Sequence, residues 1–272
     1  MAEGLLGKTV LIIITVALLV IVILPVMIVM FASVLDSTRV GLAADQFVGA
    51  SEQIFSWEGY RYVFNAYGGW MWYSVKIALA CVAICIFVAV PAGYVLVRFP
   101  FYGSRLLEEL VLLPLSLPGI AMSVALLAAY NPLRGWWLVL AGHVLYTLPF
   151  MLRVVTNSLR GSRIEKLEQA AASLGAGFWQ RFALVILPNL RHALILGALL
   201  VFAVSWGEFN VSYLLNSGKP QTFPAALYDT YANESFQISS AATTLFLFVV
   251  LPAAIAIQLI GGRSGYAVRQ GA

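Results

Sequence analysis

Few residues in this chain could do chemistry, and their placement limits what that chemistry is. Cys81 and Cys85 fall four apart in one apolar segment. On a helix they share a face but cannot easily bridge, so they read as small apolar packing residues with no redox or metal role. They set no disulfide framework, and cysteine usage does not report the compartment. His143 has no second histidine or carboxylate near it in sequence and reads as a packed, hydrogen-bonded side chain, not a ligand. Glu208 is the one carboxylate set in a long apolar run. An ionisable residue there is a functional hypothesis by default. Either it lines a path through a membrane and favours a cationic or zwitterionic solute, or it is wetted, or paired with Lys76 or Lys219. Tyr146, Thr147, Asn210 and Ser212 could line the same path or join helices by hydrogen bonds. No aspartate lies in an apolar run and His143 has no obvious partner, which argues against an intramembrane enzyme.

The densest polar chemistry is an island that begins near Arg153 and ends near Arg191. It holds Arg160, Arg163, Lys166 and Arg181 with Glu165 and Glu168. Inside it runs Glu168-Gln169-Ala170-Ala171-Ala172-Ser173-Leu174-Gly175, then nine residues, then Val185-Ile186-Leu187-Pro188. Ser162-Arg163-Ile164-Glu165 fits a capping box, with Ser162 as N-cap and Glu165 reaching back. Good helix formers follow, and Gly175 stands where a left-handed C-cap is wanted. A second helix is predicted from about Phe178, with Pro188 before the next apolar span. Ala170, Ala171 and Gly175 would let another surface approach closely, and Phe178, Trp179 and Phe182 add apolar area beside them. This patterning alone also fits a plain loop packed on its own helix ends.

The elements that position these residues are apolar. Of 272 residues, 61% are hydrophobic and 10% charged, where a soluble domain would carry about a quarter charged. A helix crossing the hydrocarbon needs about 20 apolar residues. Six such spans are predicted, at about 9–35, 72–97, 110–130, 136–155, 191–215 and 238–260, in an all-α, single transmembrane domain over 1–272. The island at about 156–189 lies between the fourth and fifth spans. The first span is too long for a signal-peptide core and has no clean cleavage site. Residues 36–70 read as a loop with Asp36, Arg39, Asp45, Glu52, Glu58 and Arg61, a short helix capped by Ser56, and a break at Gly68-Gly69. Pro114, Pro118 and Gly119 predict a bent third span facing other helices. Residues 216–237 read as a polar loop, and Gly261-Gly262 as the end of the sixth span.

Six spans place both termini on one side. That side holds eleven of the 16 Lys and Arg residues and the other side five. The positive-inside rule then puts the termini and the island in the cytoplasm, and the net charge of +4 is a topology signal, not a nucleic-acid patch.

The spaced island resembles the coupling loop of permease subunits of type-I ATP-binding-cassette importers, whose pattern is Glu-Ala-Ala, three residues, Gly, nine residues, Ile-x-Leu-Pro. Ala170, Ala171, Gly175, Leu187 and Pro188 match it. Gln169 stands at the motif glutamate, with Glu168 one residue earlier, and Val185 at the isoleucine. Any salt bridge of the motif glutamate would become a neutral hydrogen bond or pass to Glu168. Leu113-Pro114-Leu115-Ser116-Leu117-Pro118-Gly119 and Ser205-Trp206-Gly207-Glu208-Phe209 look like the same family.

The resemblance implies one half of a translocation path in a bacterial inner membrane, not an enzyme. It implies a second permease subunit, identical or homologous, two ATPase subunits that bind ATP and Mg, and a periplasmic or lipid-anchored binding protein. No P-loop is present here, so no cofactor is expected in this chain. The solute would be small and polar, nearest to the polyamine, aminoalkylphosphonate or ferric-iron importers. The other class is a secondary transporter or channel not driven by ATP, which predicts inverted repeats or several buried charges. Neither is evident, and the island would be left unexplained.

Overall fold

The computed structural model describes residues 2–35, 55–216, 218 and 221–269. The loop charges Asp36, Arg39, Asp45 and Glu52, and Lys219, lie outside them. The described chain is helical, with one antiparallel bridge between Leu35 and Phe55. In order come α1 (Ala2–Ala32), α2 (Glu58–Arg98), α3 (Ser104–Ser116), α4 (Gly119–Tyr130), α5 (Trp136–Leu159), α6 (Ser162–Ser173) and α7 (Phe178–Arg181). A widened π turn (Phe182–Ile186) leads into α8 (Leu187–Asn189), then α9 (Arg191–Gly207), α10 (Asn210–Leu215), α11 (Phe223–Asn233) and α12 (Phe236–Arg269). Four helices are long and apolar enough to cross a membrane, and up to six spans result if each of two sharply bent helix pairs counts as one.

Several expected boundaries move. Gly68-Gly69 does not break the chain: α2 runs unbroken for 41 residues. Tyr67 and Trp70 on either side are buried, and such packing outweighs the roughly 1 kcal/mol per glycine that an exposed helix would lose. At about 1.5 Å per residue, α2 is roughly twice the length of the hydrocarbon core. Ser56 does serve its start, its hydroxyl accepting the Glu58 amide at 3.2 Å. The third span is not one bent helix but two, α3 and α4, meeting at 104°. Leu117 is extended before Pro118, as the proline ring requires of its predecessor. The fifth span is also broken, at Glu208, between α9 and α10. The 216–237 loop contains α11, and α12 continues past Gly261-Gly262 to Arg269.

The chain divides into two compact units: Met1–Gly68 with Ala226–Phe248, and Gly69–Ala225 with Val249–Ala272. In the first, phenols tie α2 to neighbouring helices. The Tyr67 hydroxyl donates to Asp229 at 2.7 Å and the Tyr62 hydroxyl to Glu234 at 2.6 Å. Ser33, just after α1, and Tyr60 share a hydrogen bond of 2.7 Å.

The second unit holds the main core. On α2, Ile77, Cys81, Cys85 and Ala89 recur every fourth residue and are fully buried, one stripe of a helix face. They cluster with Val139, Met151, Val155 and Leu159 of α5 and Val201 of α9. Both cysteines are free, and the Thr147 hydroxyl lies 3.0 Å from Cys81 Sγ. His143 is buried between two serines, with Nδ1 2.8 Å from Ser205 Oγ and Nε2 2.8 Å from Ser212 Oγ. It is the packed, hydrogen-bonded histidine the sequence implied, and it joins α5 to α9 and α10.

Candidate functional site

The island folds as α6, a turn, α7, the π turn and α8. The helix starts one residue earlier than expected. Gly161 occupies the cap position in an extended conformation, so Ser162 is the first helical residue. Glu165 is approached by Gln169 Nε2 at 3.4 Å, one turn on. The C-terminal end follows expectation. Gly175 has φ +85°, the left-handed region that favours glycine. The Ala176 amide donates to Ala171 O and the Gly175 amide to Ala172 O, both at 3.0 Å. That pair of bonds is the Schellman ending, which satisfies carbonyls the helix leaves free. Gln180 then reaches back to accept the Gly177 amide at 2.9 Å, opening α7.

Pro188 explains the π turn before it. A proline has no amide to donate and crowds the carbonyl four residues back. The helix widens over Phe182–Ile186, and the Asn189 side-chain amide donates to Val185 O at 2.6 Å. Leu187 lines an apolar hollow of about 340 Å³ with Val90, Tyr94, Phe178, Trp179 and Phe182. Pro188 lines a cleft of about 490 Å³ with Arg163, Arg191 and His192.

Along α6 the burial is one-sided. Ile164 and Glu168, four apart, are buried, and Ala171 is half-buried. Arg163, Glu165, Lys166, Leu167, Gln169, Ala170 and Ala172 are exposed, as are Leu174 and Gly175 beyond the helix end. The two residues at the motif's acidic position therefore separate. Gln169 faces outward. Glu168 does not take its place there: Glu168 Oε1 accepts the Tyr94 hydroxyl at 2.6 Å, and Oε2 accepts Arg98 Nε at 2.8 Å. Tyr94 also packs edge-on against Phe99 and Phe182. Beside it α2 approaches α5 closely, and a Cβ on Gly93 would lie 2.9 Å from Val155 Cγ1.

Tyr94 and Arg98 were not singled out in the sequence. The signal was present: they are four apart at the end of α2, so they share a helix face.

The second group of residues sits where two helix breaks meet. Glu208 and Asn210 both approach Gly119 at the start of α4. Glu208 is half-buried, and its Oε1 accepts the Val211 amide at 3.0 Å, so the carboxylate caps α10. A negative group at that end is also favoured by the helix dipole. Lys76, offered as a partner, lies instead over the Trp72 ring at 5.5 Å. Tyr146 is on α5, half-buried against the core cluster.

Residues 85–264 match the family described as the binding-protein-dependent transport system inner membrane component. The chain belongs to that family of ABC importer permeases. Among its relatives, the molybdenum transport permease protein ModB of Escherichia coli K12 is 33% identical over 181 residues, covering 58% of this chain and 78% of the relative. The spermidine/putrescine transport permease PotC of Haemophilus influenzae is 26% identical over 228 residues, covering 80% and 86%. The sulfate transport permease CysW of a Synechocystis strain is 27% identical over 212 residues, covering 71% and 76%. The permease fold is also that of two solved structures. One is a bacterial ABC transporter that imports alginate, with TM-score 0.69 at 14% identity, over 93% of this chain and 95% of that one. The other is the inward-facing methionine transporter MetNI, with TM-score 0.61 at 17% identity, over 74% and 97%. A permease of this family is a transport component, not an enzyme, and its several apolar helices fit a multi-pass inner-membrane protein.

Proposed function

We propose that this permease forms half of the translocation path of an ABC importer and couples closure of partner ATPases to alternating access. Two ATPase subunits bearing ATP and Mg, a second permease and a substrate-binding protein complete the assembly. The termini and α6 face the cytoplasm, following the lysine and arginine asymmetry.

The observation that carries this reading is the one-sidedness of α6. Its inner stripe packs on the chain, while its outer face and tip leave Leu167 and Leu174 exposed, and Trp179 is exposed on α7 beyond the turn. Apolar side chains clustered on a polar surface mark a contact for another protein. Gln169, Ala170, Ala172 and Gly175 are also exposed, and no atom comes within 4 Å of a Cβ built on Gly175. A groove on an ATPase can therefore close over this helix and move it as a rigid body between two states. Leu187 and Pro188 set the turn that joins this piece to α9.

The solute is small and polar, and two observations favour an oxyanion over a polyamine. Molybdenum and sulfate transport permeases stand among the relatives. One oxygen of the Glu208 carboxylate is already engaged with the α10 backbone, which leaves it less free to hold a cation. A polyamine keeps the support of its own relative, and Glu208, Asn210 and Tyr146 remain the residues proposed for the path.

The test is co-purification from membranes followed by ATPase and uptake assays in proteoliposomes. The expected result is a P-loop protein in the complex, with hydrolysis stimulated by the loaded binding protein. Uptake by this chain alone, without ATP, would sink the reading. Competition by molybdate, sulfate, putrescine and spermidine then sorts the solute class.

A further inference from the structure

Glu168 is the α6 carboxylate that does not face the proposed ATPase contact. Its two oxygens are taken by two residues of α2, Tyr94 at 2.6 Å and Arg98 at 2.8 Å. The pair is largely dry, with side-chain exposures of 14% for Arg98 and 10% for Glu168. Arg181 of α7 is close enough to act electrostatically on Tyr94, and its Nε is buried without a hydrogen-bond partner among the described residues, as is Arg98 Nη2. One guanidinium group and a phenol therefore hold one carboxylate, at the end of the longest described helix.

We infer that Glu168, with Tyr94 and Arg98, is the tie that makes the end of α2 move with α6. These are positioning residues: they touch neither nucleotide nor solute. The inference rests on the coupling reading above and names how the motion enters the membrane part. A helix pushed from outside transmits force only through contacts that hold under load. Apolar contacts of Ile164 can slide, whereas a charge-assisted pair has one geometry and is stronger than a neutral bond. The Tyr94 ring, packed against Phe99 and Phe182, fixes the phenol that completes the pair. Gln169 faces the partner and Glu168 faces the membrane helix, so adjacent residues divide binding from transmission.

The test compares the wild-type complex with Glu168→Gln, Arg98→Gln, the double variant and Tyr94→Phe, all in proteoliposomes with the ATPase and the binding protein. The readout is solute imported per ATP hydrolysed, beside the amount of ATPase that co-purifies. Glu168→Gln and Arg98→Gln are each expected to lower that ratio more than tenfold, with co-purified ATPase within twofold of wild type. The double variant should be no worse than either single one, because both remove the same tie. Tyr94→Phe keeps the ring packing and should lower the ratio about two- to fivefold, which guards against loss by misfolding. An unchanged ratio in Glu168→Gln, single losses that multiply in the double variant, or loss of the ATPase from the Glu168→Gln complex would each overturn the tie. A wild-type chain that captures no ATPase would instead overturn the coupling reading itself.

Discussion

A Cβ placed on Gly142 would lie 2.5 Å from Val211 Cγ1 and 3.1 Å from Leu215 Cδ1. The glycine thus lets α10 lie directly on α5, next to the turn where His143 is held by Ser205 and Ser212. A methyl group cannot fit there without moving α10. Gly142→Ala is expected to destabilise the protein by about 1–3 kcal/mol, the usual cost of overpacking. Gly197→Ala is the control: its Cβ would meet Met151 Sδ at 2.6 Å, but a methionine side chain can turn aside. Thermal unfolding of the two variants in detergent, at one scan rate, should show the larger loss for Gly142→Ala.

Ser205→Ala or Ser212→Ala leaves one nitrogen of a fully buried imidazole without a partner. An unsatisfied buried polar group costs about 1–3 kcal/mol. Each variant should unfold at lower temperature than wild type by tryptophan fluorescence. A variant that matches wild type would mean the imidazole finds another partner.

Gly175 is demanded by its backbone and not by its surroundings, since φ is +85° and a Cβ would meet nothing within 4 Å. Gly175→Asn should keep most uptake, because asparagine tolerates the left-handed region. Gly175→Val should cut uptake severalfold while membrane insertion, followed by quantitative blotting, stays normal. Equal uptake by both variants would disprove a role for the turn.

Glu208 separates two readings by one pair of substitutions. As a cap on α10 it needs an acceptor oxygen, not a charge. Glu208→Gln should then remain near wild type in uptake and stability, and Glu208→Ala should lose about 0.5–2 kcal/mol, the range for a lost cap. A large uptake defect in Glu208→Gln, with stability unchanged, would instead assign the charge to the path.

Much of this permease was legible in its sequence, because membranes and helix ends impose local rules. Apolar run length gave the helical class, since only about 20 apolar residues can cross the hydrocarbon. Gly175 gave the end of α6, because only its backbone freedom fits the left-handed cap. The spacing from Ala170 to Pro188 gave the family, later matched over residues 85–264. Tertiary structure decided the rest. Gly68-Gly69 stayed helical because the packing of Tyr67 and Trp70 outweighs local propensity, and how far the third and fifth spans bend, at Leu117-Pro118 and at Glu208, appeared only in the structure. Glu168 and Gln169 are adjacent and similar in type, yet one is buried and one exposed. A helix turns 100° per residue, so which of the two meets Tyr94 and Arg98 depends on where α2 ends in space, and no local pattern of charges encodes that.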